Sequence, residues 1–200
     1  MTYAVKEIFY TLQGEGARSG RAAVFLRFSG CNLACAFCDT DFSGIDGEGG
    51  GRYADAESLA RAVAGRWPKG SDAQPYVVCT GGEPLLQLDD SLIAALHERS
   101  FEIAVETNGT IAAPAGIEWI SVSPKAGAEF KQKTGQELKL VYPQPGVDPE
   151  RFLGLMFDRF FLQPMDGPQK KANTAAAAAY CLKHPEWRLC LQMHKLIGLK

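Results

Sequence analysis

Three of the chain's six cysteines fall in one short stretch, Cys31-Asn32-Leu33-Ala34-Cys35-Ala36-Phe37-Cys38, with C-x3-C-x2-C spacing. Thiolates are soft ligands that suit zinc and iron–sulfur clusters alike. Structural zinc requires four closed ligands. No second C-x-x-C follows, so zinc here would have to recruit a distant partner such as Cys79 or His194. An iron–sulfur cube held at three corners instead leaves one iron open to a small molecule. Three buried, inert thiols are the bland alternative. Their crowding beside Asn32 and Asp39 argues against it.

Other segments carry groups of the right kind for a ligand site. Val77-Val78-Cys79-Thr80-Gly81-Gly82-Glu83-Pro84 reads as a strand entering paired glycines, which lack Cβ atoms and let backbone approach a ligand closely. Leu12-Gln13-Gly14-Glu15-Gly16 sets a carboxamide and a carboxylate among flexible glycines. Arg27, four residues before Cys31, could clamp a carboxylate through two parallel hydrogen bonds, or simply face solvent from an edge strand. Asp39-Thr40 adds hard oxygen ligands beside the soft thiols, a possible magnesium position.

These groups need elements to hold them. Short β-branched and aromatic runs predict strands at about 4–9, 22–28, 75–79, 101–106, 117–122, 137–142, 159–163 and 187–193. Asp55 caps a predicted helix to about Trp67, and Asp89-Asp90 open another with Leu92, Ile93 and Leu96 facing inward. Pro149 starts a short third helix, and Asn173 or Thr174 starts a fourth that His184-Pro185 ends. Alternating strands and helices imply a mostly parallel sheet under helical cover. Thr80-Gly81-Gly82-Glu83, Glu106-Thr107-Asn108-Gly109, Ser123-Pro124-Lys125, Gln163-Pro164-Met165-Asp166 and His194-Lys195 all follow predicted strand ends. A barrel gathers such ends on one rim, whereas five strand ends are hard to arrange around a single crevice of an open, doubly wound sheet. The expected fold is therefore α/β, a βα barrel, with residues 1–200 as one domain. Asp46-Gly47-Glu48-Gly49-Gly50-Gly51 reads as a flexible acidic surface loop.

The 200 residues carry a net charge of -2, with 46% hydrophobic and 22% charged residues. That composition fits a globular chain and excludes disorder. It also lacks the basic surplus with which proteins attract nucleic acid. No apolar run approaches the ~20 residues of a membrane span. With no leader pattern at Met1-Thr2-Tyr3-Ala4-Val5-Lys6, the expected address is the cytoplasm, where thiols stay reduced. Trp67, Trp119 and Trp187 are expected in the core, His97 on the surface, and Lys170-Lys171 in solvent.

The cysteine stretch, with aromatic Phe37 before the last thiol, resembles the radical S-adenosylmethionine superfamily. That resemblance implies a partial, TIM-like βα barrel. It also implies a [4Fe-4S] cluster on Cys31, Cys35 and Cys38, with S-adenosylmethionine chelating the fourth iron. Within the superfamily, the Leu12–Gly16, Cys31–Thr40, Thr80–Pro84, Glu106–Gly109, Ser123–Lys125 and Gln163–Gly167 segments resemble the 7-carboxy-7-deazaguanine synthase family. That family contracts the ring of 6-carboxy-5,6,7,8-tetrahydropterin to 7-carboxy-7-deazaguanine with loss of ammonia, on the route to queuosine and other 7-deazapurines. By the same resemblance Leu12, Gln13, Gly14, Glu15, Arg27 and Thr80 bind the pterin and Thr40 holds Mg2+. Phe37, Cys38, Asp39, Gly82, Ser123, Pro124, Lys125, Gln163, Pro164, Met165 and Asp166 lie along S-adenosylmethionine. No side chain is assigned as catalytic acid or base. A flavodoxin or ferredoxin-type reductant and a homodimer are implied, and no nucleic acid or membrane partner. Two other readings remain: a glycyl-radical-enzyme activating protein and a non-catalytic zinc-stabilised binding module.

Overall fold

The computed structural model describes residues 2–200. One nine-stranded sheet runs through them in the order β3-β1-β2-β4-β5-β6-β7-β8-β9. Its strands are β1 (Tyr3–Leu12), β2 (Ala22–Phe28), β3 (Gly51–Tyr53), β4 (Tyr76–Gly81), β5 (Glu102–Thr107), β6 (Trp119–Val122), β7 (Thr134–Tyr142), β8 (Met156–Pro164) and β9 (Trp187–Leu189). From β2 through β9 the neighbours pair in parallel, while β1 is antiparallel to both β2 and β3. The terminal strands β3 and β9 do not pair with each other, so this is a partial barrel. A strap from the β1–β2 connection crosses the gap: the Ala17 amide donates to Glu137 at 2.9 Å, and the Gly14 carbonyl accepts from the Met193 amide at 2.9 Å.

Alternation along each strand decides what faces where. Val24, Leu26, Val77, Cys79, Ile103 and Val105 point outward, joining Leu59, Val63, Leu92 and Leu96 of helices α1 (Ala56–Ala64) and α2 (Asp90–His97) in the largest apolar cluster. Each fully buried leucine there contributes about 2 kcal/mol of hydrophobic stabilisation. Helix α3 (Lys170–Lys183) covers the other flank over Leu138, Leu140, Leu162 and Trp187. The inward residues are apolar near the strand starts, where Phe9, Ala23, Phe25, Tyr76, Val78 and Ala104 fill the lumen. Below them Arg18 lies over the Trp119 ring at 4.1 Å and Arg21 over Tyr76 at 3.9 Å. Toward the strand ends the same inward positions become polar: Arg27, Thr80, Glu106, Ser121, Lys139 and Gln163.

Several sequence expectations need correction. Helix α1 stops at Ala64, short of Trp67, although Asp55 caps it as expected through a reciprocal pair with Ser58. Helix α3 begins at Lys170. Asn173 lies inside it, its amide spent on the Met165 carbonyl at 2.9 Å. Lys170-Lys171 meet solvent as expected, and Lys170 is also paired with Asp166 at 3.2 Å. The last strand ends at Leu189, because Cys190–Gln192 turn into the lumen before α4 (Met193–Ile197). Pro149 opens only a 3-10 turn to Phe152 in place of a short helix.

The glycine-rich segment at 46–51 is no free excursion. The Gly47 amide donates to the Lys6 carbonyl at 3.0 Å and Ile8 donates to the Glu48 carbonyl at 2.7 Å, where the β1 register shifts between Val5 and Glu7. A Cβ on Gly50 would stand 2.3 Å from the Lys6 carbonyl oxygen. Glycine is required because backbone packs on backbone, and β3 then continues the edge. Trp187 is buried as expected, while Trp67 and Trp119 are only half-buried beside the inner apolar cluster. His97 is on the surface, 2.9 Å from Glu118.

Candidate active site

A cavity of about 460 Å³ opens at the strand ends. Cys31, Cys35 and Cys38 line one wall, on a segment with neither helix nor strand from 29 to 50. The segment is held by side chains. Asn32 accepts from the Asn108 amide at 3.0 Å and donates to the Thr110 hydroxyl at 2.8 Å. Lys6 pairs with Asp41 at 2.9 Å and Asp46 at 2.8 Å. Burial pushes the Cys35 thiol up, partly opposed by the Lys125 ammonium. Among the described residues, no three His, Cys, Asp or Glu side chains converge on a single ion. Cys79, one fourth ligand that zinc would require, packs in the apolar cluster under α1 and α2, with burial raising it to about 12. A cube spreads its thiolates more widely than one ion does, so this loop suits a cluster better than tetrahedral zinc.

The glycine turn lies directly against the cysteine loop. A Cβ on Gly82 would stand 1.9 Å from the Gly30 carbonyl oxygen and 2.9 Å from the Cys31 Cβ. Gly81 has φ of +120° and touches Phe28 backbone. Glu83, fully buried, accepts from the Leu85 amide at 3.0 Å, the Thr107 hydroxyl at 2.8 Å and the Asn108 amide at 2.8 Å. Burial raises its pKa, and those three bonds work against the rise. Ser123 accepts from the Lys125 ammonium at 2.6 Å, and burial pushes that ammonium down to about 8.

The lumen holds a linked charged layer. Arg27 Nε donates to Glu7 at 2.8 Å, and Lys200 pairs with the same carboxylate. Glu106 accepts from Thr80 at 2.9 Å and from Gln13 at 3.1 Å. Lys139 is paired with Glu15 and stands 3.8 Å from Glu106. Burial alone would raise Glu15, but the Lys139 charge and the Gln192 amide hold it below the usual carboxylate range. Gln192 also donates to Asp39 at 2.8 Å, and Lys195 joins Asp39 at 2.6 Å to Asp166 at 2.5 Å. These bridges narrow the mouth.

The structure brings Leu12, Gln13, Gly14, Glu15, Arg27, Phe37, Asp39, Thr40, Thr80, Gly82, Ser123, Lys125, Gln163, Pro164 and Asp166 to the cavity with the three thiols. It does not bring Pro124 or Met165 there. Their backbones accept from Gln144 at 3.3 Å and Asn173 at 2.9 Å, so they shape the rim loops. Sequence reasoning passed over Lys139, Gln192 and Glu7. A lysine inside Leu138-Lys139-Leu140-Val141 was the available signal, since a cation on a core strand requires an anionic partner.

An open-ended partial barrel with three thiols on one rim loop defines a class, and sequence comparison agrees with it. The profile described as "Radical SAM superfamily" matches residues 26–141, and the chain belongs to that superfamily. Two relatives, each described as "7-carboxy-7-deazaguanine synthase", share 63% identity (Caulobacter vibrioides) and 61% identity (Bradyrhizobium diazoefficiens). Both alignments cover 100% of this chain and of the relative. The solved structure titled "Crystal structure of QueE from Escherichia coli" superposes with a TM-score of 0.70 at 27% identity, covering 97% of this chain and 95% of that one. Within the superfamily, the chain belongs to the 7-carboxy-7-deazaguanine synthase family.

Proposed function

We propose that the protein converts 6-carboxy-5,6,7,8-tetrahydropterin to 7-carboxy-7-deazaguanine and ammonia as a radical S-adenosylmethionine lyase acting through residues 1–200 as one domain. One observation carries this reading: the thiol loop, the paired-glycine turn and the charged lumen layer face a single cavity. Cys31, Cys35 and Cys38 would hold the [4Fe-4S] cluster, next to the residues that would hold S-adenosylmethionine. When bound, these groups would supply radical chemistry for abstracting hydrogen from the substrate.

The chain's own residues bind, orient and exclude water. Gly82 presents backbone beside Cys31, while Phe37, Asp39, Ser123, Lys125, Gln163 and Asp166 flank the cofactor. Leu12, Gln13, Gly14, Glu15, Arg27 and Thr80 enclose the pterin. Arg27 spends its Nε on Glu7 and offers its remaining N–H groups to the substrate carboxylate. Gly14 has no room for a Cβ, which would meet His194 Nδ1 at 2.1 Å, so the C-terminal segment seals that side. Thr40 offers a hard hydroxyl oxygen to Mg2+. A flavodoxin or ferredoxin-type protein delivers the electron, and the assembly is a homodimer in the cytoplasm. No helix among the described residues is long and apolar enough to cross a membrane.

Anaerobic reconstitution with iron and sulfide, then reductant, S-adenosylmethionine, Mg2+ and the carboxytetrahydropterin, tests the proposal. Mass spectrometry should detect 7-carboxy-7-deazaguanine. A formed cluster with no such product overturns the substrate assignment.

A further inference from the structure

Lys139 is the group in the lumen whose burial most demands an explanation. Its side chain is 8% exposed, it stands on the inward face of β7, and it lies at the cavity wall rather than in the apolar core. An ion pair inside a protein costs desolvation on both sides and seldom adds stability over an apolar substitute. Here one ammonium serves two carboxylates from separate elements, Glu15 of the β1–β2 connection and Glu106 of β5. Each carboxylate is further oriented by neutral donors, Gln192 for Glu15, and Gln13 and Thr80 for Glu106. The result is two fixed anions facing one cavity.

We propose that Lys139 is a positioning residue for the substrate, holding Glu15 and Glu106 as a pair of oriented acceptors for the N–H groups of a bicyclic aminopyrimidinone. The inference rests on the function proposed above and deepens it. Such a ring presents adjacent N–H donors on one edge, which a fixed carboxylate accepts through two parallel bonds. Without the cation, Glu15 would lose the charge that holds its carboxyl below the usual range, and it would take up a proton and turn donor. The other charged or titratable groups around the triad do not replace it. Glu137 is occupied by the Ala17 amide, the Cys190 thiol is raised to about 12 by burial, burial lowers His194, and Lys125 is bonded to Ser123.

Two variants test this beside the wild type, whose own turnover separately tests the function. Lys139→Met should raise KM for the pterin at least about tenfold, with KM for S-adenosylmethionine within about threefold. The acid limb of its kcat/KM profile should move to higher pH, because losing the cation raises the carboxylate pKa. Fluorescence titration of the unreduced protein with 6-carboxypterin should show the same weakening without turnover. Lys139→Arg keeps the charge but not the reach, so it should raise KM by a smaller factor and leave the acid limb in place. If the Met variant does not purify folded, the Arg variant and its titration carry the test. Wild-type KM and affinity in a folded variant, or a loss confined to kcat, overturns the proposal. An inactive wild type with an intact cluster overturns the function instead.

Discussion

The thiol loop and the lumen layer share one cavity but are built in different ways. From 29 to 50 the chain has no helix or strand, and it is held by polar side chains such as Asn32 and Lys6, with its thiols half-buried or exposed. Arg27, Thr80, Glu106 and Lys139 stand on four strands whose outward neighbours form the core. The rim loop can therefore change its chemistry at little cost to the fold, while the strand-borne groups and the turn beneath the loop are bound up with stability. The loop owes its shape to side-chain hydrogen bonds and ion pairs rather than to a backbone ladder.

The largest expected effect falls on the loop. Cys35→Ala should remove the brown charge-transfer absorption of reconstituted protein and all detectable product, yet leave the urea midpoint of the metal-free protein nearly unchanged. A matching loss of stability would break the contrast. Glu83→Ala, just under the loop, should do the reverse. It leaves the Thr107 hydroxyl and the Asn108 amide without their buried acceptor, costing about 3 kcal/mol in denaturant titration of the metal-free protein. The smallest effect belongs to the mouth. Lys195→Ala should cost under about 1 kcal/mol, because its bridge is a third exposed. The Lys195 ammonium beside Asp166 holds that carboxyl down at about 2. A depressed carboxyl contributes stability that is complete above its usual value near 4 and is lost as pH falls toward 2. The difference between wild type and Lys195→Ala should therefore be constant above about pH 5 and fade as pH falls through about 2. A difference that grows on acidification would contradict the pairing.

The same contrast explains how much could be read in advance. Thiols at C-x3-C-x2-C spacing and the paired glycines are local, since one short segment supplies several groups to one ligand. The strands were also visible, as their β-branched runs alternate with helices, and only the three-residue β3 escaped. What escaped in the site was non-local. Lys139 meets Glu15 across 124 residues of chain, and Gln192 meets Asp39 across 153. No spacing records such a meeting. The 187–193 run looked like one strand because its apolar residues continue past Leu189, yet pairing with β8 stops where Cys190 turns inward.

By itself the amino-acid order determined which residues could ligate soft metal, where backbone must come close, and which stretches form strands and helices. These follow from side-chain chemistry and from torsional preference, which are properties of neighbouring residues. Only the folded sheet decided which face of each strand would line the lumen and which carboxylates would share one ammonium. Those choices depend on the register of eight strand pairings and on the electrostatic cost of enclosing charge, and both are fixed only once distant segments have met.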